Sequence, residues 1–446
     1  MTELGTGQVS GAGARLREAF DLDRNNRLMA LANMLWGAGT GVYLPIWPLH
    51  LERLGAEPAI VGLLLGMSSA LSILVSIPAA SMATRLGWKR TLVVGWGLGP
   101  VGTLLYAMAD RWQGVIPGII CMALVSLCGP AYLAYIGGAA GGRNLPRVFG
   151  VMGASITVGT VLTSPIGGVV ADGFGMRWVL VLSTVFYTAS FMCVWWLDDL
   201  DDGERSGPAG SDASVPEVSG EGLPVAVIGA QTGYLALLRE RTLWRPVVGL
   251  LAMIAAAQVG VVLAPAWLAD AHGYTRSHIG VLGSLDALGA ITLNMVLGQV
   301  ASRRGTTMAL VLGAGLTVLG HVALLEASWW PVGAMAYLLR SGAGTFHWIG
   351  TGAVGAILRG LPGSSNGRTE RGFALYYMAE GAVLATSTML AGLIYGWWSP
   401  GPFIVSMAGL SLLVAIALVA RTGWWSGRYP SGRERPSGMA RIGEIR

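Results

Sequence analysis

The sequence predicts an all-α membrane protein of twelve spans, built as two pseudo-symmetric six-helix bundles. Three observations predict this fold: an apolar composition, a one-sided distribution of basic residues, and an internal repeat. Of the 446 residues, 53% are hydrophobic and 12% are charged, whereas about 25% of the residues of a soluble domain are charged. The apolar residues form runs of about twenty, each long enough to cross a ~30 Å bilayer core. Lipid is therefore the expected solvent.

Apolar runs separated by short polar loops define the spans, which are numbered in chain order. Spans 1 to 6 are predicted near residues 28–50, 58–83, 91–109, 113–136, 148–171 and 176–197. Spans 7 to 12 are predicted near residues 245–269, 277–301, 307–327, 331–358, 371–396 and 401–420. The first run is longer than a signal-peptide core and no small-residue cleavage site follows it. Span 1 is therefore expected to be retained.

The polar segments complete the predicted domain organisation. The predicted order is an N-terminal segment (1–27), a first bundle (28–197), a linker (198–243), a second bundle (244–420) and a basic tail (421–446). The linker begins with a run of acidic residues and continues rich in Gly, Ser and Pro. Such a composition cannot bury a core, so the linker is expected to be solvated.

Arginine and lysine are distributed unevenly between the two sides of the predicted spans. If both termini lie in the cytoplasm, 24 basic residues fall in the tails and even-numbered loops, four fall in the outer loops, and Arg340 falls inside a span. Positively charged loops stay cytoplasmic. The asymmetry therefore predicts a multi-pass protein of a bacterial inner (cytoplasmic) membrane, with both termini and the linker in the cytoplasm.

A repeat at a constant offset of 218 residues relates the two halves without gaps over residues 55–102. Gly55, Gly62, Arg85, Gly87, Gly95, Gly97 and Gly102 correspond to Gly273, Gly280, Arg303, Gly305, Gly313, Gly315 and Gly320. The loop 83–87 also resembles the loop 301–305 outside its glycines. Two repeats in the same orientation are typical of parallel six-helix halves.

The loop after span 2 resembles the signature loop of the major facilitator superfamily. It reads Ala80-Ser81-Met82-Ala83-Thr84-Arg85-Leu86-Gly87-Trp88-Lys89-Arg90, and its copy reads Gly298-Gln299-Val300-Ala301-Ser302-Arg303-Arg304-Gly305. Thr84 and Ser302 occupy the position where the family usually has an aspartate that helps to latch the halves. Residues 163–178 resemble the fifth-span end and hairpin of many members, although Ser164 replaces the proline of the antiporters.

This resemblance covers nearly the whole chain and implies two bundles around a central cavity. It implies that spans 7, 8, 10 and 11 border that cavity. It also implies cytoplasmic gating loops, formed by Thr84, Arg85, Gly87, Lys89, Arg90, Ser302, Arg303 and Gly305. With hydroxyl residues in place of the aspartates, the loops are expected to latch through hydroxyl hydrogen bonds or more weakly.

Three charged residues lie near the middle of predicted spans in the second half: Asp286, Arg340 and Glu380. Each is about 13 Å deep at 1.5 Å per residue, so the three could meet. A charge at this depth costs at least ~2.5 kcal/mol and is expected to face a cavity and a partner. The three predict either proton-coupling and substrate charges or a structural salt-bridge network. Arg340 cannot pair fully with both carboxyls, so one carboxyl is expected to exchange protons.

Polar residues in the spans are candidate substrate-binding groups. They are Asn33, Gln258, Asn294, His347, Tyr376 and Tyr377. The two tyrosines lie within one helical turn of Glu380, and the histidine follows Arg340 by two turns on the same predicted face. The alternative interpretation of each is a hydrogen bond between helices.

These features predict a secondary active transporter that works by alternating access, with its small-molecule substrate near the midplane. The first hypothesis is proton-coupled efflux of a drug-like or metabolite substrate. The alternatives are proton-coupled uptake of a sugar or other small metabolite, and a non-transporting membrane receptor or sensor.

The sequence argues against the other classes of function. It has no Gly-x-x-x-x-Gly-Lys-Ser/Thr motif and no histidine spacing typical of zinc sites, so we expect no enzyme activity, cofactor or metal. The expected partners are the substrate, protons and membrane lipid, with no nucleic acid. The protein is expected to be a monomer.

Overall fold

The computed structural model describes residues 22–139, 145–199, 240–360 and 368–419. The predicted N-terminal segment (1–27) and linker (198–243) fall mostly outside these residues, and the tail (421–446) falls wholly outside them. Within the described ranges every regular element is a helix.

The helices form six spans in each half. The first half consists of Arg24–Tyr43 with Trp47–Arg53 (span 1), Pro58–Leu86 (span 2), Trp88–Met108 (span 3), Ile116–Leu124 with Gly129–Ala139 (span 4), Leu145–Gly173 (span 5) and Met176–Trp195 (span 6). The second half consists of Arg241–Val261 with Ala264–His272 (span 7), Arg276–Arg304 (span 8), Thr306–Leu325 (span 9), Trp330–Arg340 with Gly344–Gly360 (span 10), Arg368–Trp397 (span 11) and Gly401–Val419 (span 12). The predicted all-α architecture of two six-helix bundles is confirmed.

Ten of these spans are apolar and long enough to cross a membrane by length and composition alone. Spans 1 and 10 are outside that set. Span 1 contains buried Asn25, Asn26 and Asn33, and span 10 contains Arg340. Buried polar groups in a membrane helix need partners inside the protein. The chain is a multi-pass membrane protein in which these two spans contain polar groups.

The internal repeat is visible in the positions of helix ends. Spans 2 and 8 each contain 29 residues, and they begin and end 218 positions apart. Each ends at a glycine with positive φ, 82° at Gly87 and 93° at Gly305. A side chain strongly disfavours this backbone conformation, so glycine fixes the sharp turn into the next span. The repeat therefore specifies the same turn in both halves.

Four spans are interrupted near the middle of the protein. The interruptions are Leu44–Ile46 in span 1, Val125–Cys128 in span 4, residues 262–263 in span 7 and Ser341–Ala343 in span 10. Pro45 and Pro265 lie at two of them. Proline lacks the backbone N–H and clashes with the preceding turn. The interruptions leave backbone carbonyls available to side chains at mid-depth.

The buried side chains divide the protein into two ends. The distal end, opposite residues 22 and 419, has one core to which both halves contribute, with Trp47 from span 1 and Phe403 from span 12 among its members. At the proximal end, where the described chain begins and ends, one core contains only first-half residues and another only second-half residues. The halves therefore share a core distally and keep separate cores proximally.

Small residues bring the two halves together at the distal end. A Cβ atom added at Gly62 would lie 2.8 Å from the Cα of Gly392, so spans 2 and 11 touch through their backbones. Gly280 of span 8 lies against Ser164 and Gly168 of span 5 in the same way. Lipid removes most of the hydrophobic drive between helices, so close backbone packing must hold them. This interface is the distal closure.

The same kind of contact joins spans 1 and 5 within the first half. A Cβ added at Gly159 would overlap the carbonyl oxygen of Met34 and lie 2.7 Å from the nitrogen of Ala38. A Cβ added at Gly150, on the same helix, would meet nothing within 4 Å. The two glycines therefore differ in environment although they belong to one span.

We expect Gly159→Ala to lower the stability of the protein by about 1–3 kcal/mol, because the added methyl overpacks a backbone contact. Gly150→Ala should be neutral or stabilising by up to about 1 kcal/mol, because it only removes the flexibility of glycine. Thermal unfolding of both variants in detergent measures the difference. Equal melting temperatures would contradict the packing argument.

Candidate functional site

Asp286 and Arg340 form an ion pair between spans 8 and 10. A guanidinium nitrogen of Arg340 lies 3.0 Å from Oδ2 of Asp286, and another donates to the carbonyl of Val261, 3.1 Å away. That carbonyl is available because span 7 is interrupted at the next residue. The guanidinium lies 3.8 Å from the centre of the Tyr337 ring. The pair therefore connects spans 7, 8 and 10.

The two partners differ in exposure. The Arg340 side chain is 6% exposed, whereas that of Asp286 is 37% exposed. Ser341 donates its hydroxyl to the Asp286 side chain at 3.0 Å, although that hydroxyl also lies 2.8 Å from the carbonyl of Tyr337. Removing one partner of a buried pair leaves the other charge uncompensated. The arginine is thus the member that most needs its partner.

Glu380 forms a second polar cluster with His347. Nδ1 of His347 lies 2.7 Å from Oε1 of Glu380, and the Tyr376 hydroxyl donates to the same oxygen at 3.3 Å. The Glu380 side chain is 2% exposed and that of His347 is 43% exposed. The carboxyl is thus buried behind an imidazole that is accessible and can itself gain or lose a proton.

The three predicted intramembrane charges therefore lie in two clusters. The interruption Ser341–Ala343 separates His347 from Arg340, so the two side chains do not act together from one continuous helical face. Instead, Arg340 contacts Asp286 and His347 contacts Glu380. A sequence interpreted as one regular helix does not show this interruption or the separate partners of Arg340 and His347 that result from it.

The clusters lie where the shared core meets the separate cores. Tyr337 belongs to the distal core, whereas Tyr376 belongs to the proximal core of the second half. Ser284, half a turn from Asp286 on the other face of span 8, donates to the carbonyl of Val161 across the halves. A Cβ added at Gly381, the residue after Glu380, would overlap Ile73 of span 2. Both charge clusters thus lie at the depth of a contact between the halves.

The remaining candidate substrate-binding residues make contacts between helices. Asn33 donates to the Tyr132 hydroxyl at 2.6 Å, which joins spans 1 and 4. Gln258 donates to the Thr388 hydroxyl at 3.2 Å, which joins spans 7 and 11. Tyr377 is an exception, because its ring stacks on Phe373 of its own helix.

Asn294 differs from these residues because its Oδ1 is buried without a hydrogen-bond partner among the described residues. It has the unsatisfied acceptor that a substrate donor could fill.

Three residues that contribute to the two charge clusters were not predicted from the sequence: Ser341, Thr351 and Tyr337. The sequence positions of two of them indicate a role in the clusters, since Ser341 follows Arg340 directly and Thr351 is one turn after His347. The Thr351 and Tyr376 hydroxyls lie 3.2 Å apart.

The predicted gating loops lie at the proximal end. Arg85, Arg90 and Arg303 are exposed there. The Ser302 hydroxyl donates to the carbonyl of Gln299 in its own helix, and the Lys89 ammonium lies 3.7 Å from the Asp199 carboxylate in its own half. The Thr84 side chain falls outside the described part of the chain. The contacts described for these loops are within one half, not between halves.

Sequence comparison gives the family of the chain. A sequence model of the Major Facilitator Superfamily matches residues 29–357, which is more than half of the chain. The chain belongs to the Major Facilitator Superfamily. The resemblance inferred from the loops is confirmed, and the protein is a member of a family of membrane transporters.

Curated relatives of this superfamily match part of the chain. An uncharacterized MFS-type transporter of Methanocaldococcus jannaschii is 26% identical over 157 residues, 35% of this chain and 41% of that protein. The quinolone resistance protein NorA of Staphylococcus aureus is 24% identical over 135 residues, 30% of this chain and 35% of that protein. The chain thus matches less than half the length of these relatives.

Solved superfamily structures share the fold over most of the chain. A crystal structure of a mutant of the nucleoside transporter NupG matches with a TM-score of 0.73 at 11% identity, covering 90% of this chain and 100% of that one. The human organic anion transporter MFSD10 matches with a TM-score of 0.59 at 13% identity, covering 88% and 99%. These likenesses show the fold of the chain.

We expect Asp286→Asn to destabilise the substrate-free protein by about 3 kcal/mol, because it leaves the buried Arg340 charge unpaired. Adding Arg340→Met to that variant should recover most of the loss. The matched control is Asp110→Asn, which breaks the exposed Arg177–Asp110 pair of 2.8 Å and should cost less than about 1 kcal/mol. Thermal unfolding in detergent compares the variants. A double variant no more stable than the single one would contradict the pairing.

Proposed function

We propose that this superfamily member is a proton-coupled secondary transporter that exports a drug-like or metabolite substrate by alternating access. The observation that carries the proposal is the Glu380–His347 pair. It combines a carboxyl that is 2% exposed with a titratable imidazole that is 43% exposed. Such a pair can exchange a proton with the space between the halves, while the carboxyl stays out of bulk water.

The proposed coupling follows from charge balance. When His347 is protonated, the imidazolium neutralises Glu380. When the proton leaves, the carboxylate is unbalanced in a region where a lone charge is costly. A cationic group of the substrate can then take the place of the imidazolium proton. Proton and substrate would compete for one carboxylate, which is the requirement for exchange of one for the other.

The second charge pair has a different proposed role. Arg340 is held by Asp286, by a carbonyl and by an aromatic ring, so it is well compensated. We assign this pair to holding spans 7, 8 and 10 together and to setting the potential of the cavity. The unpaired Oδ1 of Asn294 and the accessible part of Asp286 are the proposed substrate contacts on this side.

Direction and orientation belong to the same proposal. The basic residues favour cytoplasmic termini, which would make the distal closure external and the described conformation open to the cytoplasm. The partial similarity to the quinolone resistance protein NorA supports export and suggests an amine-bearing aromatic substrate. A cell's inward proton gradient would drive such export by exchange.

We expect proteoliposomes with an acidic interior to accumulate a fluorescent fluoroquinolone or ethidium while releasing protons. Glu380→Gln should abolish the gradient-driven accumulation, because the shared carboxylate is lost, and Asp286→Asn should reduce it strongly. Glu326→Gln, which changes an exposed carboxyl at the distal end, is the matched control and should transport normally. Internal probe fluorescence and external pH are recorded together.

The same assay separates the alternatives. Accumulation driven only by an acidic exterior would indicate uptake by symport. Binding of the probes without movement under either gradient would indicate a receptor. Undiminished, pH-independent transport by both the Glu380 and Asp286 variants would refute the coupling role of these residues.

A further inference from the structure

A second titratable group lies far from the central clusters, at the distal end. The short helix Trp47–Arg53 at the end of span 1 packs against the helix Ala264–His272 at the end of span 7. Each helix contributes one carboxyl to this contact, Glu52 from the first half and Asp270 from the second. We call this contact the distal corner. It lies at the edge of the core that both halves share.

Asp270 is anchored at the corner by a third span. The Tyr395 hydroxyl of span 11 donates to its Oδ2 at 2.9 Å. Glu52 is different: its Oε1 is buried and has no hydrogen-bond partner among the described residues. An ionised carboxylate in that position would lack the compensation that a buried charge requires. A neutral carboxylic acid fits the same position at lower cost.

The surroundings of Glu52 contain charges of both signs. His50 and Arg53 lie on its own helix, and Glu57 immediately precedes the helix of span 2. Asp270 of span 7 and Tyr395 of span 11 lie near it, and His272 follows Asp270 by two residues. Arg111 is next to Trp112, whose backbone N–H donates to the carbonyl of Leu54. Within the described ranges no group of three or more metal-ligating side chains could hold a metal ion.

Burial disfavours the ionised form of Glu52, and the negative charge of Asp270 acts in the same direction. The effect of Asp270 depends on the two halves being in contact, because Asp270 belongs to the second half. Separating the halves would move Asp270 away from Glu52.

We propose that Glu52 and Asp270 form a pH-sensitive latch in the distal closure, which protonation of Glu52 holds shut and ionisation of Glu52 weakens. The latch goes beyond the proposed transport function, because it controls the conformation of the protein rather than the exchange site at Glu380. Its two carboxyls come from different halves, so their repulsion acts directly on the opening.

The direction of the pH effect follows from linkage. Contact with Asp270 disfavours the ionised form of Glu52 in the closed form, so proton binding favours the closed form. Raising the pH ionises the carboxyl and removes this stabilisation.

The latch would give external protons a role of their own. In the orientation proposed above, the distal corner faces the outside. A proton bound there would shut the external side and favour the conformation open to the cytoplasm. This consequence rests on the proposed function, whereas the latch itself requires only that the closure depends on pH.

The test is a pH titration of the distance across the distal end. Spin labels are attached at Gln113→Cys and Ser328→Cys, exposed positions in the distal loops of the two halves. Cys121, Cys128 and Cys193 are replaced by alanine, and the protein is reconstituted in lipid nanodiscs. Double electron–electron resonance should give one short distance at pH 5 and a growing longer-distance population between pH 6 and pH 8.

Variants assign the response to the corner. Glu52→Gln should keep the short distance at both pH values, and Asp270→Asn should move the midpoint to lower pH. Glu57→Gln, which changes an exposed carboxyl just before the helix of span 2, is the matched control and should behave as the parent. Glu380→Gln should retain the distal pH response, so failure of the exchange site and failure of the latch are distinguishable.

Two results would overturn the latch. One is a distance distribution of the labelled parent protein that is the same at pH 5 and pH 8. The other is an unchanged pH response in Glu52→Gln. If this variant does not fold, the parent titration and the Asp270→Asn midpoint decide, and an unmoved midpoint in Asp270→Asn counts against the proposal.

Discussion

Close backbone contact between small residues at the distal closure is the constraint on which the rest of the structure depends. Lipid gives little hydrophobic drive for one helix to bind another, so helices associate where their backbones can approach. Gly62 against Gly392, and Gly280 against Gly168, provide such contacts between the halves. They join spans 2 and 11 and spans 5 and 8, and they place the shared core at one end only. The separate proximal cores follow from this arrangement.

The position of the charges follows from the same closure. The membrane interior requires every polar group to have an internal partner or to face a cavity. Asp286 and Glu380 lie at the same depth as residues that touch the other half, Ser284 and Gly381. Interrupted spans supply carbonyls at this depth, and the Val261 carbonyl holds Arg340. Charge, helix interruption and inter-half contact are therefore found together where the two bundles separate.

Transport by alternating access requires that contacts at one end form when those at the other end break. The glycine contacts supply a pH-independent part of the distal closure. The Glu52–Asp270 corner would add a pH-dependent part, because two carboxyls from different halves tolerate contact better when one is protonated. The central Glu380–His347 pair would respond to the substrate. Separate sites for closing and for exchange would let the protein respond to protons on both sides.

Much of this architecture could be predicted from the sequence because it depends on local chemistry. Apolar run length locates the spans, and the offset of 218 residues relates Gly87 to Gly305, which adopt the same positive φ. A conserved backbone requirement leaves the same residue type in both repeats. The loops that contain these glycines also indicated the superfamily, which the sequence comparison then confirmed.

The pairing of the charges could not be predicted from the sequence, because it depends on where helices stop being regular. The depth of Asp286, Arg340 and Glu380 follows from counting residues, but their partners depend on the turn Ser341–Ala343 in span 10. The distal corner could not be predicted from the sequence either. Its reason is different: Glu52 and Asp270 are distant in sequence and meet only when the halves close. The sequence alone determined the solvent, the spans, the repeat and the family, because these depend on composition and local pattern. Only the tertiary structure decided which charges meet, because that depends on packing between helices.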